Sequence, residues 1–256
     1  MTTPCPGAVL APDVPALQVN SLDFCYPGAT ETVLRQVTFS LPRGARCLLL
    51  GANGTGKSTL LRVLAGRHMV PGDVVRVLGR SAFHDTKLAG ELAFVGGDFP
   101  FHHDVSVAEI LERRVGVDRA RRARLVDVLD VDTTWRMHRV SDGQRRRIQI
   151  LLDLERQLSA VLLDEVTADL DVLARADLLR LLREESEQRG LTVMYASHVL
   201  DGLAKWATHI LFLSPGRVRA FGPLEEVLPA GRDLHALCEA WMAEDRHLLR
   251  HRRGPR

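Results

Sequence analysis

Gly51-Ala52-Asn53-Gly54-Thr55-Gly56-Lys57-Ser58, followed by Thr59, is the stretch that decides the fold class of this chain. It comes after the apolar run Cys47-Leu48-Leu49-Leu50 and opens a helix-like segment over residues 59–66. A strand, a glycine-rich turn and a helix in that order gather backbone N–H groups around an anion, and the helix N-terminus adds a favourable dipole. At this spacing the Lys57 ammonium reaches β- and γ-phosphates and the Ser58 hydroxyl faces Mg²⁺. Composition makes the lysine more telling. Lys57, Lys87 and Lys205 are the three lysines among 34 basic residues, and the other 31 are arginine. A compact ammonium fits inside such a loop, where a planar guanidinium does not. The plain alternative is a glycine-rich turn without a ligand.

The remaining pattern extends that βα unit. Residues 17–24 and 33–41 alternate as strands on either side of the turn Pro27-Gly28. Further strands are expected at 46–50, 72–78, 160–163 and 192–196, and a hairpin is expected at 210–220 around Pro215-Gly216. Residues 105–150 read as mostly helical. Residues 171–189 read as one helix, with Leu173, Ala176, Leu178, Leu179 and Leu182 as its apolar positions. Strands alternating with helices predict an α/β fold, a parallel sheet covered by helices. An N-terminal antiparallel β portion and a small inserted helical part at about 98–150 are added to it. The expected boundaries are a proline-rich leader at 1–16, one domain at 17–228 and a basic helical tail at 229–256.

Composition sets limits. Of 256 residues, 46% are hydrophobic and 26% charged, as in ordinary globular proteins. No window approaches a membrane-spanning length, the leader has neither signal nor transit character, and the four cysteines have no metal-like spacing. A reduced cytosolic protein is the simplest reading. The net charge of +2 implies no general affinity for nucleic acid. Arginines cluster at 119–124, 145–147 and 251–256. Solvated helix faces and a loose terminus are the expected reading, with a basic docking surface as the sharper one.

Further chemical stations lie downstream. The strand at 160–163 ends in Asp164-Glu165. Opposite a phosphate loop, Asp164 is placed to hold Mg²⁺ and Glu165 to polarise an attacking water. Ser141-Asp142-Gly143-Gln144 is another station, and Asp171, His198 and Tyr26 complete the set.

Taken in order, the phosphate loop, Ser141-x-Gly143-Gln144, apolar-Asp164-Glu165, Asp171 and His198 resemble the ATP-binding-cassette ATPases, P-loop NTPases with a RecA-like sheet. The resemblance spans 17 to about 228. It implies ATP and Mg²⁺ as cofactors, Lys57, Glu165 and His198 as the catalytic group, and Ser58 and Asp164 on the metal. It implies that Tyr26 stacks on adenine and that residues 51–59 hold the phosphates. Ser141, Gly143 and Gln144 would reach the γ-phosphate held by a second copy, and Asp171 would couple the two sites. A homodimer on ATP binding follows.

Residues 135–149, 170–177 and 198–203 narrow the match to the soluble cassette ATPases of yeast and plants. Asp142, where the wider family has glycine, is typical of that subgroup. The subgroup implies a cytoplasmic or nuclear partner complex in transcription and mRNA decay. Gly97 stands where transporter members carry a glutamine that contacts Mg²⁺ and couples to membrane subunits. The rival readings are a transporter subunit with separate membrane chains and a nucleotide-dependent scaffold with little turnover. Asp142 is expected to turn outward, either toward one of Arg145, Arg146 or Arg147 or as an exposed, unpaired acid.

Overall fold

The computed structural model describes residues 14–97, 99, 103–166, 170–198, 200, 202–228 and 232–252. Residues 1–13 of the expected leader, Asp98, residues 167–169 and the end of the basic tail at 253–256 lie outside the described residues.

Two sheets carry the fold. β1 (Leu17–Cys25) and β2 (Thr32–Leu41) pair antiparallel, and the short strands β4 (Val75–Val77) and β5 (Arg80–Ser81) extend them in the order β2-β1-β4-β5. Their alternating burial is that of strands with one face on a core. The strand expected at 72–78 shrinks to three residues, because a turn precedes Val75 and Leu78 already adopts a positive φ of 53°.

The second sheet has six strands, ordered β10-β9-β3-β8-β7-β6. β3 (Arg46–Leu50), β6 (Leu92–Val95), β7 (Ala160–Asp164), β8 (Thr192–Ala196) and β9 (His209–Ser214) run parallel, and β10 (Arg217–Pro223) closes one edge antiparallel. β3 is buried at every position, as a central parallel strand covered on both faces must be. Its side chains alternate between two cores. Cys47 and Leu49 pack with α1 (Lys57–Leu64) and the antiparallel sheet, and Leu48 and Leu50 face the helical side.

That side is built from α2 (Val107–Glu112), α3 (Arg119–Val128), α4 (Asp142–Leu154), α5 (Val172–Arg189), the short α6 (Leu203–Trp206) and α7 (Leu224–Val227), and α8 (Leu234–Arg252). α5 forms where a helix is expected, with Leu178 and Leu182 buried and Leu179 packed against the core, but its buried face turns away from Leu173 and Ala176. Ala174, Leu178, Leu181 and Leu182 are buried, while Ala176 is exposed and Leu173 is 76% exposed. The buried positions follow i, i+4, i+7, i+8, which leaves Leu173 on the outer side. α8 packs on the sheet, with Trp241 edge-on to Phe212 and Asp245 accepting from the Ser214 hydroxyl at 2.9 Å.

The first arginine cluster differs from the solvated face expected for it. Arg121 pairs with Glu185, Arg122 with Glu155 and Arg124 with Glu184, and Arg114 joins Glu155 from the end of α2. The Glu155 side chain has no exposure, so two guanidinium groups compensate one buried carboxylate. These arginines fasten the inserted helices to α4 and α5.

Candidate functional site

β3 delivers the chain into residues 51–56 at the carboxyl edge of the parallel sheet. Gly51 has φ 145°, and a Cβ there would meet the Leu213 carbonyl oxygen at 2.2 Å, so no larger residue fits. Gly56, at φ 104°, is the N-cap of α1 and brings no side chain to the cap. The first-turn N–H groups are therefore left without a side-chain acceptor, which is the arrangement that receives an anion. Lys57 is 7% exposed, and its ammonium donates to the carbonyls of Gly51 at 2.8 Å and Ala52 at 3.1 Å. Burial pulls its pKa below the usual lysine range, against the opposing pull of Glu165 and Asp164. Thr55 ties the loop back through its hydroxyl to the Ala52 carbonyl at 2.9 Å.

β7 and β8 bring the acids and the histidine to the same edge. The Ser58 hydroxyl donates to Asp164 Oδ1 at 3.1 Å. Burial raises the Asp164 carboxyl above the ordinary carboxylate range, the Ser58 bond lowers it, and the neighbouring Glu165 charge raises it again. Glu165 adopts φ 53°, a left-handed conformation that costs a non-glycine residue about 1–3 kcal/mol and clusters at functional sites. Its carboxylate lies 3.4 Å from His198 Nδ1, just past the end of β8. A hydroxyl and a carboxylate form a hard oxygen donor set suited to Mg²⁺, which fills its other positions with water and phosphate oxygen. The raised Asp164 pKa fits the same ion, since the nearby Arg62 and Lys57 charges only partly offset the burial of this carboxylate.

A test follows from the sign of that shift. A carboxyl whose folded-state pKa is raised favours the fold at acid pH. That contribution is lost as the pH rises through the raised value, so ionised Asp164 works against the ligand-free fold at neutral pH. Asp164→Asn is expected to raise the melting temperature of the ligand-free protein at pH 7 while weakening Mg²⁺-dependent nucleotide binding by about tenfold or more. A lower melting temperature with unchanged metal dependence would refute this placement.

Tyr26 sits over the first turn of α1. Its hydroxyl is 3.0 Å from Thr59 Oγ1, and its ring stands edge-on to Phe24 and His68, with centroids 5.1 and 5.3 Å away. The aromatic group is thus fixed beside the phosphate loop.

Ser141, Gly143, Gln144 and Asp171 gather elsewhere. Ser141 is the N-cap of α4 in a full capping box: Gln144 N donates to Ser141 Oγ at 3.2 Å, and Ser141 N donates to Gln144 Oε1 at 2.9 Å. With Trp135, Arg147 and Asp171 these residues line one cleft, and no phosphate-loop residue borders it. Asp142 is exposed in the first turn of α4, where a negative charge suits the helix dipole. Two of the three arginines near it are engaged with other groups. Arg146 donates to the Gly97 carbonyl and to Gln149 Oε1, and Arg147 pairs with Asp130 and Asp171.

Sequence reasoning passed over Gly96. A Cβ there would come within 2.6 Å of Asp164 Cβ, so the end of β6 lies flat against Asp164. Its neighbour Gly97 has φ 72° and open space where a side chain would project. The adjacent glycines at a strand end were the available signal.

Among the described residues, no helix is long and apolar enough to cross a membrane. The family profile described as ABC transporter matches residues 34–168, from β2 through the acids ending β7. ABC transporter I family member 20 of Arabidopsis thaliana is 42% identical over 261 residues, covering 94% of this chain and 80% of that protein. Member 21 of the same plant is 44% identical over 245 residues, covering 90% and 86%. CCR4-associated factor 16 of Saccharomyces cerevisiae is 36% identical over 223 residues, covering 79% and 77%. Among solved structures, an ATP-binding subunit of an ABC transporter superposes with a TM-score of 0.77 at 23% identity, over 88% of this chain and 99% of that one. Matched by profile over more than half its length, and by plant and yeast relatives over most of it, this chain belongs to the ABC ATPase family, in the subgroup of those class I relatives.

Proposed function

We propose that this chain binds and hydrolyses MgATP between two copies arranged head to tail. Each site would join the phosphate loop of one copy to the Ser141 cleft of the other. The observation that carries the reading is the division of the candidate residues into two sets. Lys57, Ser58, Asp164, Glu165 and His198 share one edge, and Ser141, Gly143, Gln144 and Asp171 share a separate cleft. Two copies are the arrangement that completes both. Val172 and Leu173, 82% and 76% exposed directly after Asp171, supply an apolar patch for a second copy to cover. A bacterial ABC transporter cassette solved as a dimer shares the fold, with a TM-score of 0.67 at 20% identity.

In this reading Lys57 exchanges its two loop carbonyls for phosphate oxygens. The loop N–H groups hold the remaining phosphate oxygens, and the Tyr26 ring stacks on the adenine. Ser58 and Asp164 hold Mg²⁺, which when bound offsets the charge on the β- and γ-phosphates. Glu165 orients a water and takes its proton as the oxygen attacks γ-phosphorus, the bond to the bridging β–γ oxygen breaks, and ADP and inorganic phosphate result. His198, within reach of Glu165, adds positive or hydrogen-bonding character at the γ-phosphate. The work is positioning and electrostatics rather than covalent chemistry.

Opening and closing of the dimer would bias a cytoplasmic or nuclear partner complex, a reading supported by the name of the yeast relative alone. The rival is coupling to separate membrane subunits, which relatives such as the nickel import ATP-binding protein of Rhodobacter capsulatus, 34% identical over 236 residues, keep in view. The purified chain is expected to hydrolyse ATP without lipid or membrane protein, with turnover per molecule rising with protein concentration. Turnover that emerges only on adding a membrane fraction would favour the rival, and turnover independent of protein concentration would remove the dimer.

A further inference from the structure

Arg147 joins three parts of the fold that the proposed dimer must present together. It lies in the second turn of α4, the helix that Ser141 opens, and its side chain is 15% exposed. One amino group of its guanidinium pairs with Asp130 Oδ2 at 3.0 Å and reaches the Leu129 and Asp130 carbonyls at 3.4 and 3.5 Å. The other pairs with Asp171 Oδ2. Asp130 follows α3 and holds φ 47°, a left-handed turn that the chain keeps although the residue is not glycine. Asp171 is the N-cap of α5. Its Oδ1 accepts from Leu173 N at 3.0 Å and Ala174 N at 2.9 Å, so its two oxygens are divided between the helix cap and Arg147. The Ala174 amide, the other cap bond and the guanidinium together hold this carboxyl below the usual range. Asp171 is thus engaged within its own copy.

We propose that Arg147 is the positioning residue for closure of the two copies: by holding Asp130 and Asp171 at once, it fixes the N-terminus of α4 against the start of α5, so that Ser141, Gly143 and the Asp171 edge meet the second copy as one rigid surface. This rests on the dimer reading above. A planar fork with five donors can serve two carboxylates and two carbonyls, and a lysine point charge cannot. Asp171 then acts with both oxygens committed within its own copy, and the coupling between sites passes through the start of α5 and Arg147.

The test uses the full chain with Arg147→Met, Arg147→Lys, Asp130→Asn and the Arg147→Met, Asp130→Asn double variant, each in the unaltered and the Glu165→Gln background. Affinity for a fluorescent ATP analogue is read on dilute protein, and dimer formation with ATP is read by light scattering across a concentration series. Arg147→Met is expected to leave nucleotide affinity within about twofold and to raise the concentration for half-maximal dimer by roughly tenfold, a typical coupling for residues in one ion-pair network. Arg147→Lys should recover part of that shift. Asp130→Asn should produce a smaller shift and add nothing to Arg147→Met. A residue that only supported the fold would lower melting temperature and nucleotide affinity together. An unchanged midpoint in Arg147→Met, or additive effects with Asp130→Asn, would overturn the proposal. If Arg147→Met does not fold, an unchanged midpoint in Asp130→Asn overturns it in the same way. Failure of the dimer reading is distinct, because the Glu165→Gln parent with Arg147 intact would then stay monomeric with ATP.

Discussion

Glu165→Gln protein should bind MgATP as tightly as the unaltered chain, turn it over about 10²–10⁴-fold more slowly, and accumulate as a dimer. Glutamine has the shape of glutamate but cannot accept a proton, so water near the γ-phosphate loses its base while the phosphate loop is untouched. The residue holds φ 53° and lies 3.4 Å from His198 Nδ1, a backbone placement that the amide shares. In the proposed dimer, closure would be driven by the γ-phosphate lying between Lys57 of one copy and the α4 N-terminus of the other. Without hydrolysis that bridge persists, so the closed form collects. Rapid-quench turnover and light scattering with ATP measure the two effects. Turnover within a few-fold of normal would remove Glu165 from the chemistry. A slow but strictly monomeric variant would leave the base assignment standing and point to a different partner chain for the cleft.

The phosphate loop was legible because its requirements are local. Glycines at 51, 54 and 56 adopt positive φ, and lysine and serine follow at fixed spacing, whatever the rest of the fold does. The strand positions had a similar advantage, since a short apolar run such as Leu48-Leu49-Leu50, leading straight into the glycine-rich turn, suits a strand buried on both faces. Features that depend on distant partners could not be read in that way. Arg121, Arg122 and Arg124 look like a solvated run until α4 and α5 bring Glu155, Glu184 and Glu185 beside them. Leu173 fits an apolar list for α5, but only the packed helix shows which face the sheet covers. The Gly96-Gly97 pair marks a strand end in sequence, but not its reason, which is the Asp164 side chain of a neighbouring strand, 68 positions away in the chain. Arg147 stands in a run of three arginines, and nothing in the run says which one holds Asp171.

Lys57→Ala should remove most nucleotide affinity without unfolding the protein. The ammonium is nearly buried and makes two short bonds to loop carbonyls, at 2.8 and 3.1 Å, which phosphate oxygens would replace. Two charge-assisted bonds at about 1.5–3 kcal/mol each place the loss at roughly 10²- to 10⁴-fold in affinity. Stability should move the other way or hardly at all. Burial lowers the Lys57 pKa, so the folded ligand-free chain holds this proton less tightly than the unfolded chain does. The charged lysine therefore works against the fold at neutral pH, and that cost fades only as the pH rises through the lowered folded-state value toward the unfolded one. Alanine keeps the helical start of α1 and removes the cost. Lys57→Arg should bind poorly as well, because a guanidinium cannot fold back into the turn between Gly51 and Ala52. Calorimetric titration with MgATP, alongside thermal melts without nucleotide, separates the two effects. An alanine variant that still binds MgATP at the unaltered affinity would strip residues 51–59 of their role, and a variant with a collapsed melting temperature would mean that the ammonium holds the loop together in the absence of ligand.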